Sequence, residues 1–316
     1  MAGVQQRRER EVLCGDAVAW LAASDEPFEG SVFTAVPDVK DVPRFNSMSD
    51  DPVAQAEQYV IWFNVIAEAV FRRLAQGQCA IFSQTDGRLM QLDGTVLQWI
   101  DKSHLCSQAA AKHGCALLWH KIALGTSPSE VGHRIGYTHL LCFGKQFTYH
   151  TASFRTPDVL DRGPMTWMKA TGLHSCVLGV SFLKDVVHTG CVVSPFCGHG
   201  TILAVANYFA LPAFGVELLP KRARTARNKS LQGVLDGMPE GLMRSLGAQP
   251  PPSHPCHHTL HTLPVHTLPH TLDTDADADA DSGSDSSGEE DVGNGSSSGS
   301  GGGSGSGGGS GSGGGS

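Results

Sequence analysis

The feature that most constrains the fold is a glycine-bearing loop between a short apolar strand and a helix. The strand is expected at residues 191–193, and the loop after it contains Gly198 and Gly200. Glycine at such a turn allows positive φ and lets a ligand approach the backbone closely. The next strand, at residues 214–216, is followed at once by Glu217. An acid at this place in a βαβ unit accepts hydrogen bonds from ribose hydroxyls, so the pattern predicts a nucleotide-type binding site.

Strands and helices alternate along the first 230 residues. Further strands are expected at residues 12–14, 31–35, 79–82, 115–123 and 137–143, and helices at residues 17–23, 52–74, 103–113, 167–187, 201–209 and 220–228. This alternation predicts an α/β fold in which a mainly parallel sheet is covered on both faces. The strands at 115–123 and 137–143, joined by a glycine- and proline-bearing loop, are predicted to form an antiparallel hairpin at the edge of the sheet.

The C-terminal segment differs in composition from the rest of the chain. Residues 257–272 are a His-, Thr-, Leu- and Pro-rich repeat, nine acids follow between residues 273 and 291, and residues 294–316 are almost all Gly and Ser. Such sequences have little apolar surface to bury, so we predict a disordered tail over 233–316. The His repeat is interpreted as low-complexity sequence rather than a metal site. Without the tail acids, 23 basic and 22 acidic residues remain, so the formal net charge of −8 says nothing about the partners of the folded part.

The nine cysteines have no paired spacing, and the charged start of the chain has no apolar segment of a signal peptide. We therefore expect reduced thiols and a soluble protein in an intracellular compartment, which the sequence does not identify. No apolar run is long enough to span a bilayer.

The motif at residues 194–201, Ser-Pro-Phe-Cys-Gly-His-Gly-Thr, resembles the Asp-Pro-Phe-Cys-Gly-Ser-Gly-Thr motif of the amino-methyltransferases. These enzymes use S-adenosylmethionine and act on adenine or cytosine in DNA and on bases in RNA. The sequence that begins Gly-Val-Glu at residues 215–217 also resembles the segment that follows in this family. The resemblance covers about residues 11–230.

The resemblance implies S-adenosyl-L-methionine as the cofactor and assigns residues to it. The loop would hold the methionine moiety, Glu217 the ribose, and Asp16 of Gly-Asp-Ala at residues 15–17 the adenine. Thr166 lies in a segment, residues 163–167, where permuted members place another cofactor contact. The loop residues implied in cofactor binding are Ser194, Phe196, Cys197, Gly198, Gly200 and Thr201. Ser194 departs from the aspartate of the family.

The order of these motifs also resembles the circularly permuted members, in which the cofactor loop comes late in the chain. The implied fold is the Rossmann-like class I methyltransferase fold with a seven-stranded sheet. We expect this domain at residues 11–232, after an N-terminal tail of residues 1–10.

The catalytic segment departs most from the family. Members carry Asp, Asn or Ser, then Pro-Pro and an aromatic residue, after the fourth strand, whereas this chain has Ala35-Val36-Pro37-Asp38. Transfer to an amine needs acceptors beside the nitrogen that loses its proton. Pro37 and Asp38 are therefore the candidate catalytic residues. An alternative is that Asp38 only turns the chain, since Asp after Pro is common in turns.

These observations favour a methyltransferase that acts on a nucleobase nitrogen in RNA or DNA. Two alternatives remain open. The altered catalytic segment is compatible with a binding module that acts with a protein partner or as a homodimer. The fold also hosts enzymes that methylate proteins or small molecules.

Overall fold

The computed structural model describes residues 10–46, 51–90, 94–125 and 135–249. The strands are β1 (Arg10–Cys14), β2 (Ser31–Thr34), β3 (Cys79–Gln84), β4 (Gly87–Met90), β5 (Val96–Ile100), β6 (Cys115–Leu124), β7 (Tyr137–Lys145), β8 (Val159–Asp161), β9 (Val192–Ser194) and β10 (Ala213–Glu217). The α-helices are α1 (Ala17–Ala22), α2 (Pro43–Asn46), α3 (Pro52–Arg73), α4 (Lys102–Lys112), α5 (Leu173–Asp185), α6 (Thr201–Tyr208), α7 (Pro220–Asn228), α8 (Gln232–Asp236) and α9 (Glu240–Ser245).

The main sheet has eight strands in the order β1-β10-β9-β2-β3-β7-β6-β8. The first five strands of this order run parallel, and β7 is antiparallel to both β3 and β6. The mainly parallel sheet and the antiparallel hairpin are thus confirmed. The eighth strand, β8, was not expected, and it pairs in parallel with β6 at the edge. The late strands β9 and β10 lie between the early strands β1 and β2, as a permuted motif order requires.

Alternating residues of the buried strands pack against helices on opposite faces. Val32 and Phe82 lie on the face covered by α1, α3 and α4, whereas Phe33 and Ile81 lie on the face covered by α5 and α6. Side chains on successive strand residues point to opposite faces, and central parallel strands bury both. The core therefore has two layers, and the edge formed by the strand ends stays available for a site.

Two predicted helix starts are corrected. Helix α4 begins at Lys102 rather than residue 103 and is capped by Asp101, whose Oδ1 accepts hydrogen bonds from both His104 N and Ser103 Oγ. Helix α5 begins at Leu173 rather than residue 167. The amides of Leu173 and His174 donate to backbone carbonyls of residues 164 and 162, so the preceding segment folds back over the helix start.

The predicted domain boundaries also need correction at both ends. Arg10 belongs to β1, and its Nε donates to Asn207 Oδ1 at 2.6 Å. At the other end, residues 233–249 do not belong to a tail. They include most of α8 and all of α9, and Leu235, Met243 and Leu246 are buried in the core because they cover the face lined by α5 and α6. The His-rich, acidic and Gly/Ser segments, and residues 1–9, lie outside the described residues. Within the described ranges, no helix is long and apolar enough to cross a membrane.

Candidate functional site

The predicted cofactor residues converge at one edge of the sheet. Because β1, β10, β9 and β2 run parallel, their carboxyl ends share that edge. Strands β10 and β1 lie on one side of β9 in the sheet, and the chain continues from β9 to β10. Strands β2 and β3 lie on the other side of β9. Ligands of open α/β sheets bind in the crevice at such a topological switch point. The sheet order therefore places the crevice beside Ser194 and Thr34, the last residues of β9 and β2.

The glycine loop is shaped by backbone contacts that only glycine permits. Gly198 and Gly200 have φ of 55° and 78°. A Cβ on Gly200 would lie 2.8 Å from Ala226 Cα, so α7 packs directly against the loop. The loop is tied to the neighbouring strand by Cys197 N, which donates to the Val216 carbonyl at 3.0 Å. Among the described residues, the amides of Gly198 and His199 have no backbone acceptor and lie next to the N-terminus of α6.

Glu217 ends β10 next to the first turn of the chain. Its Oε1 accepts a hydrogen bond from Leu219 N at 3.0 Å, and its carbonyl accepts one from Gly15 N at 3.0 Å. Asp16 is therefore held beside Glu217. The Asp16 carboxylate caps α1 by accepting from Val18 N at 2.7 Å, and it is exposed at the same edge. The two acids that sequence reasoning assigned to a nucleoside thus lie together.

The other loop residues are more buried. Ser194 is 0% exposed, and its Oγ has no hydrogen-bond partner within the described structure. Phe196 packs edge-on against Trp62 of α3, with ring centroids 6.4 Å apart. Burial, and then the nearby charge of Glu217, raise the pKa of the Cys197 thiol to about 12. Cys197 therefore stays protonated at neutral pH, which excludes a thiolate nucleophile.

Residues 164–172 fold over the glycine loop. Thr166 Oγ1 lies 2.6 Å from Thr201 Oγ1, the first residue of α6. The ring of Trp167 stacks on His199 at 4.3 Å, and a Cβ on Gly198 would lie 3.0 Å from Trp167 Cζ2. Lys169 Nζ forms an ion pair with Asp41 Oδ1 at 2.5 Å. The segment therefore connects the cofactor loop to the residues that follow Asp38.

The turn after β2 brings Pro37 and Asp38 to the same edge, where the Val36 and Pro37 carbonyls and one Asp38 oxygen already have partners. The Pro37 carbonyl accepts a hydrogen bond from Tyr59 OH at 2.9 Å. The amide of Gln84, in the orientation that pairs both of its polar atoms, bonds the Val36 carbonyl at 3.3 Å and the Val36 N–H at 2.7 Å. Asp38 Oδ1 accepts from Val39 N at 2.9 Å and from Lys102 Nζ at 3.0 Å.

Burial raises the pKa of Tyr59 well above its ordinary value, and the adjacent Asp38 adds to this effect. Tyr59 is therefore a permanent hydrogen-bond donor in this turn. Lys102, at the start of α4, is the cation that faces Asp38.

A second group of polar side chains lies farther along the same edge. We call it the Asp86 cluster, and it consists of Asp86, Trp99, Tyr137, His139 and His120. Asp86 Oδ2 lies 3.1 Å from His139 Nε2, 3.1 Å from Tyr137 OH and 3.2 Å from Trp99 Nε1. Sequence reasoning missed Asp86. The only available signal was its place two residues after β3, at the carboxyl end of a parallel strand.

Asp86, His139 and Asp101 place one ligand atom each within 4.8 Å of one another, close enough to share a cation. Carboxylate oxygens of both aspartates already accept hydrogen bonds from protein donors, however. Asp86 Oδ1 accepts from Lys102 N, and Asp101 Oδ1 accepts from Ser103 and His104. This hydrogen-bond pattern favours a protein network over a metal centre.

Trp119 and Lys121, an aromatic and a basic residue of β6, have structural roles. Trp119 is buried and packs edge-on against Phe182. Lys121 is buried, and its Nζ lies 3.0 Å from Asp158 Oδ1 and 3.1 Å from the Pro157 carbonyl.

Comparison with known proteins gives structural but not sequence matches. No model of a protein family matches the sequence, and no curated protein does. The S-adenosyl-L-methionine complex of a protein described as a DNA modification methylase, from Thermus thermophilus, matches with a TM-score of 0.51 and 20% identity over 69% of this chain and 91% of that chain. A second structure of that protein matches with a TM-score of 0.50 and 21% identity over 71% and 95% of the two chains. The cytosine-N4-specific PvuII DNA methyltransferase matches with a TM-score of 0.48 and 12% identity over 78% and 98%.

At this identity the similarity establishes the fold, and it confirms at that level the resemblance drawn from residues 194–201 and 215–217. Over about 70% of its length, this chain has the Rossmann-like α/β fold of the DNA modification methylases.

Proposed function

We propose that this protein is an S-adenosylmethionine-dependent methyltransferase whose acceptor is a nucleobase nitrogen in RNA or DNA. One observation carries the proposal. The glycine loop and Glu217 lie side by side at the topological switch point, with loop amides that have no backbone acceptor among the described residues and a carboxylate on the adjacent strand end. This is the pairing that a nucleoside carrying an amino-acid chain requires.

The residues present fit such a cofactor. The amides of Gly198 and His199 would bind the carboxylate of its methionine part, and Glu217 would accept from the ribose hydroxyls. Asp16 would lie on the adenine side, and Thr166 beside Thr201 would close the methionine side. The absence of a Cβ at Gly200 lets α7 pack against the loop at Ala226, which holds the loop in this conformation.

The cofactor supplies an electrophilic methyl group. The contribution of this chain is to position the acceptor, exclude water and remove a proton. Asp38 is the candidate for the last role, because its side chain is 32% exposed at the acceptor side while Lys102, at 2% exposed, holds one of its oxygens. The other oxygen can accept a proton from an incoming amine. The segment that carries Trp167 and Lys169 would cover the methyl group from solvent.

The first experiment is calorimetric titration of the protein with S-adenosylmethionine. Glu217→Ala and Gly198→Asp are expected to weaken binding by at least roughly tenfold, because they remove the ribose acceptor and fill the loop. Gly233→Ala is the matched control, since a Cβ there meets nothing within 4 Å. Absence of binding to the native protein would refute the enzyme proposal.

The acceptor is tested by transfer of a radiolabelled methyl group to total RNA and to denatured DNA. We expect label in nucleic acid with the native protein and roughly hundredfold less with Asp38→Ala, within the range attributed to a general base. Label that appears in protein instead of nucleic acid would show that the acceptor is a protein and would contradict the nucleobase proposal.

The second candidate function is a methyltransferase-like binding partner. The observation that favours it is the occupied acceptor turn, where Tyr59, Gln84 and Lys102 engage the Pro37 carbonyl, the Val36 carbonyl and Asp38. A protein that binds the cofactor but transfers no methyl group to RNA, DNA or protein would support this alternative.

A further inference from the structure

Trp99 combines exposure with a fixed orientation. It is 44% exposed, and it is the one aromatic side chain among the large exposed hydrophobic residues of the described chain. Its Nε1 donates to the buried Asp86 carboxylate, so the indole is held at one end while much of its ring surface meets solvent. The guanidinium of Arg88 lies 5.7 Å from the ring centroid, which places a cation beside it. Because a buried charge holds this exposed aromatic ring in one orientation, the ring is preorganised to contact a ligand.

The imidazole ring of His120 is held by the same carboxylate through hydrogen bonds that pass by way of His139. Asp86 Oδ2 accepts from His139 Nε2, and His139 Nδ1 lies 2.8 Å from His120 Nε2, so when His139 is neutral its Nδ1 accepts a hydrogen bond from His120 Nε2. In that arrangement Nδ1 of His120 carries a lone pair. His120 is exposed. Burial, and then the neighbouring His139, lower its pKa, so the ring is neutral at neutral pH. It can stack and can accept a hydrogen bond.

The Asp86 cluster is linked to the acceptor turn by two short paths. Lys102 donates its backbone N–H to Asp86 Oδ1 and its ammonium to Asp38 Oδ1, each at 3.0 Å. His139 lies in register opposite Gln84, whose amide bonds Val36. The cluster therefore lies a few strand spacings along the same sheet edge from Asp38, or on the order of 10–15 Å. That is about the reach of one or two nucleotides of an extended strand.

We propose that the Asp86 cluster is a subsite for an unpaired nucleobase that flanks the target nucleotide, with Trp99 as the stacking surface and His120 as a hydrogen-bond acceptor. The inference rests on the proposed function and narrows its substrate to single-stranded RNA or DNA. An unstacked base is required because only it can present its face to the indole. The occupant is a base rather than an apolar peptide, since each exposed ring is held by a polar contact and a cation lies beside Trp99.

The test is fluorescence anisotropy of a short fluorescein-labelled oligoadenylate, as RNA and as DNA, with the full chain. We expect Trp99→Ala to weaken binding roughly tenfold, within the range measured for one base–aromatic stack. Trp99→Phe keeps a ring and is expected to lose only about two- to threefold. His120→Ala, on a different strand, is expected to weaken binding about threefold. The matched control is Val159→Ala, an exposed apolar residue on β8.

An abasic oligonucleotide of the same length separates base from backbone contacts. The native protein and Trp99→Ala are expected to bind this abasic strand with equal affinity. A loss of affinity in Trp99→Ala that is seen only with the base-bearing strand supports the subsite. Equal binding of oligoadenylate by Trp99→Ala, His120→Ala and the native protein would overturn the inference, as would no binding by the native protein. Calorimetry with S-adenosylmethionine separates the two proposals. If these variants bind the cofactor normally, a failed oligonucleotide test refutes the subsite alone, and if the native protein binds no cofactor, the proposed function fails.

Discussion

The ammonium group of Lys102 lies 3.0 Å from Asp38 Oδ1, and the two side chains differ in burial, with the lysine 2% exposed and the aspartate 32%. If Lys102 is removed, the partly exposed Asp38 carboxylate can be solvated by water. The buried lysine cannot, and it would remain as an uncompensated charge beside the ring of Tyr59.

This asymmetry gives a stability prediction. Asp38→Ala is expected to lower the free energy of unfolding by about 3 kcal/mol, because it strands the buried ammonium. Lys102→Met removes the desolvated charge and is expected to cost about 1 kcal/mol. Urea unfolding of both variants and of the double variant measures the difference. Equal costs for the two single changes would mean that Lys102 reaches water without Asp38.

Gly200 is expected to tolerate no side chain. Gly200→Ala places a Cβ on a residue with φ of 78° and within 3.0 Å of Ala226, so we expect a cost of about 2–4 kcal/mol and loss of cofactor binding. Thermal unfolding and calorimetry below the melting temperature measure the two effects. Gly233→Ala serves as the control. A native-like affinity in Gly200→Ala would contradict the role given to the loop.

The Asp86 carboxylate makes stability depend on pH. Burial alone would raise its pKa, but hydrogen bonds from His139, Lys102 N and Trp99 bring it to about 2. A carboxyl with a depressed pKa stabilises the fold above its unfolded pKa, near 4, and loses this contribution as the pH falls through 2. The stability difference between the native protein and Asp86→Asn is therefore expected to shrink by about 2 kcal/mol between pH 5 and pH 2. Urea unfolding across this range measures it, and a constant difference would show that Asp86 is not held as a charged acceptor.

Two cysteines are expected to differ in reactivity. Cys197 is buried in the cofactor loop with its pKa raised to about 12, whereas Cys14 is exposed at the end of β1. Iodoacetamide at about pH 8 is expected to modify Cys14 in the native protein well before Cys197, because the thiolate is the reacting form. Peptide mass spectrometry after short exposure measures the order. Early modification of Cys197 would indicate that the loop opens to solvent.

The C-terminal limit of the folded domain can be measured by truncation. A chain that ends at residue 249 is expected to keep its melting temperature and cofactor affinity. A chain that ends at residue 232 loses three buried side chains, Leu235, Met243 and Leu246, and is expected to lose several kcal/mol of stability. Equal melting temperatures for the two truncations would show that α8 and α9 contribute nothing to the core.

The sequence was sufficient to predict the main sheet and the cofactor loop because both depend on local signals. Short apolar runs such as residues 79–82 form buried strands, and the spacing of Gly198, Gly200 and Glu217 lies within one βαβ unit. The hairpin of β4 and β5 was missed because most of β5 is exposed and has no apolar alternation. Helix α5 was predicted too long because an apolar residue, Met168, precedes it without belonging to it.

The partners of the candidate site could not be predicted because they come together only in the folded chain. Lys102 is 64 residues from Asp38 in sequence, and nothing around either residue specifies the other. The Asp86 cluster draws on residues up to 53 positions apart. A local sequence motif contains no information about contacts between residues so far apart. The glycine loop, by contrast, is formed by residues that are neighbours in the sequence.

The position of β1 has a consequence for how the protein is made. This strand pairs only with β10 within the described sheet, so residues 10–14 have no strand partner there until residues 213–217 have been synthesised. Nearly the whole domain must leave the ribosome before its first strand can join the sheet, and such late, long-range pairing slows folding. The nascent chain therefore keeps residues 10–14 without this strand partner until residues 213–217 have left the ribosome, and a chaperone that binds this segment would act before the cofactor loop and Glu217 are available.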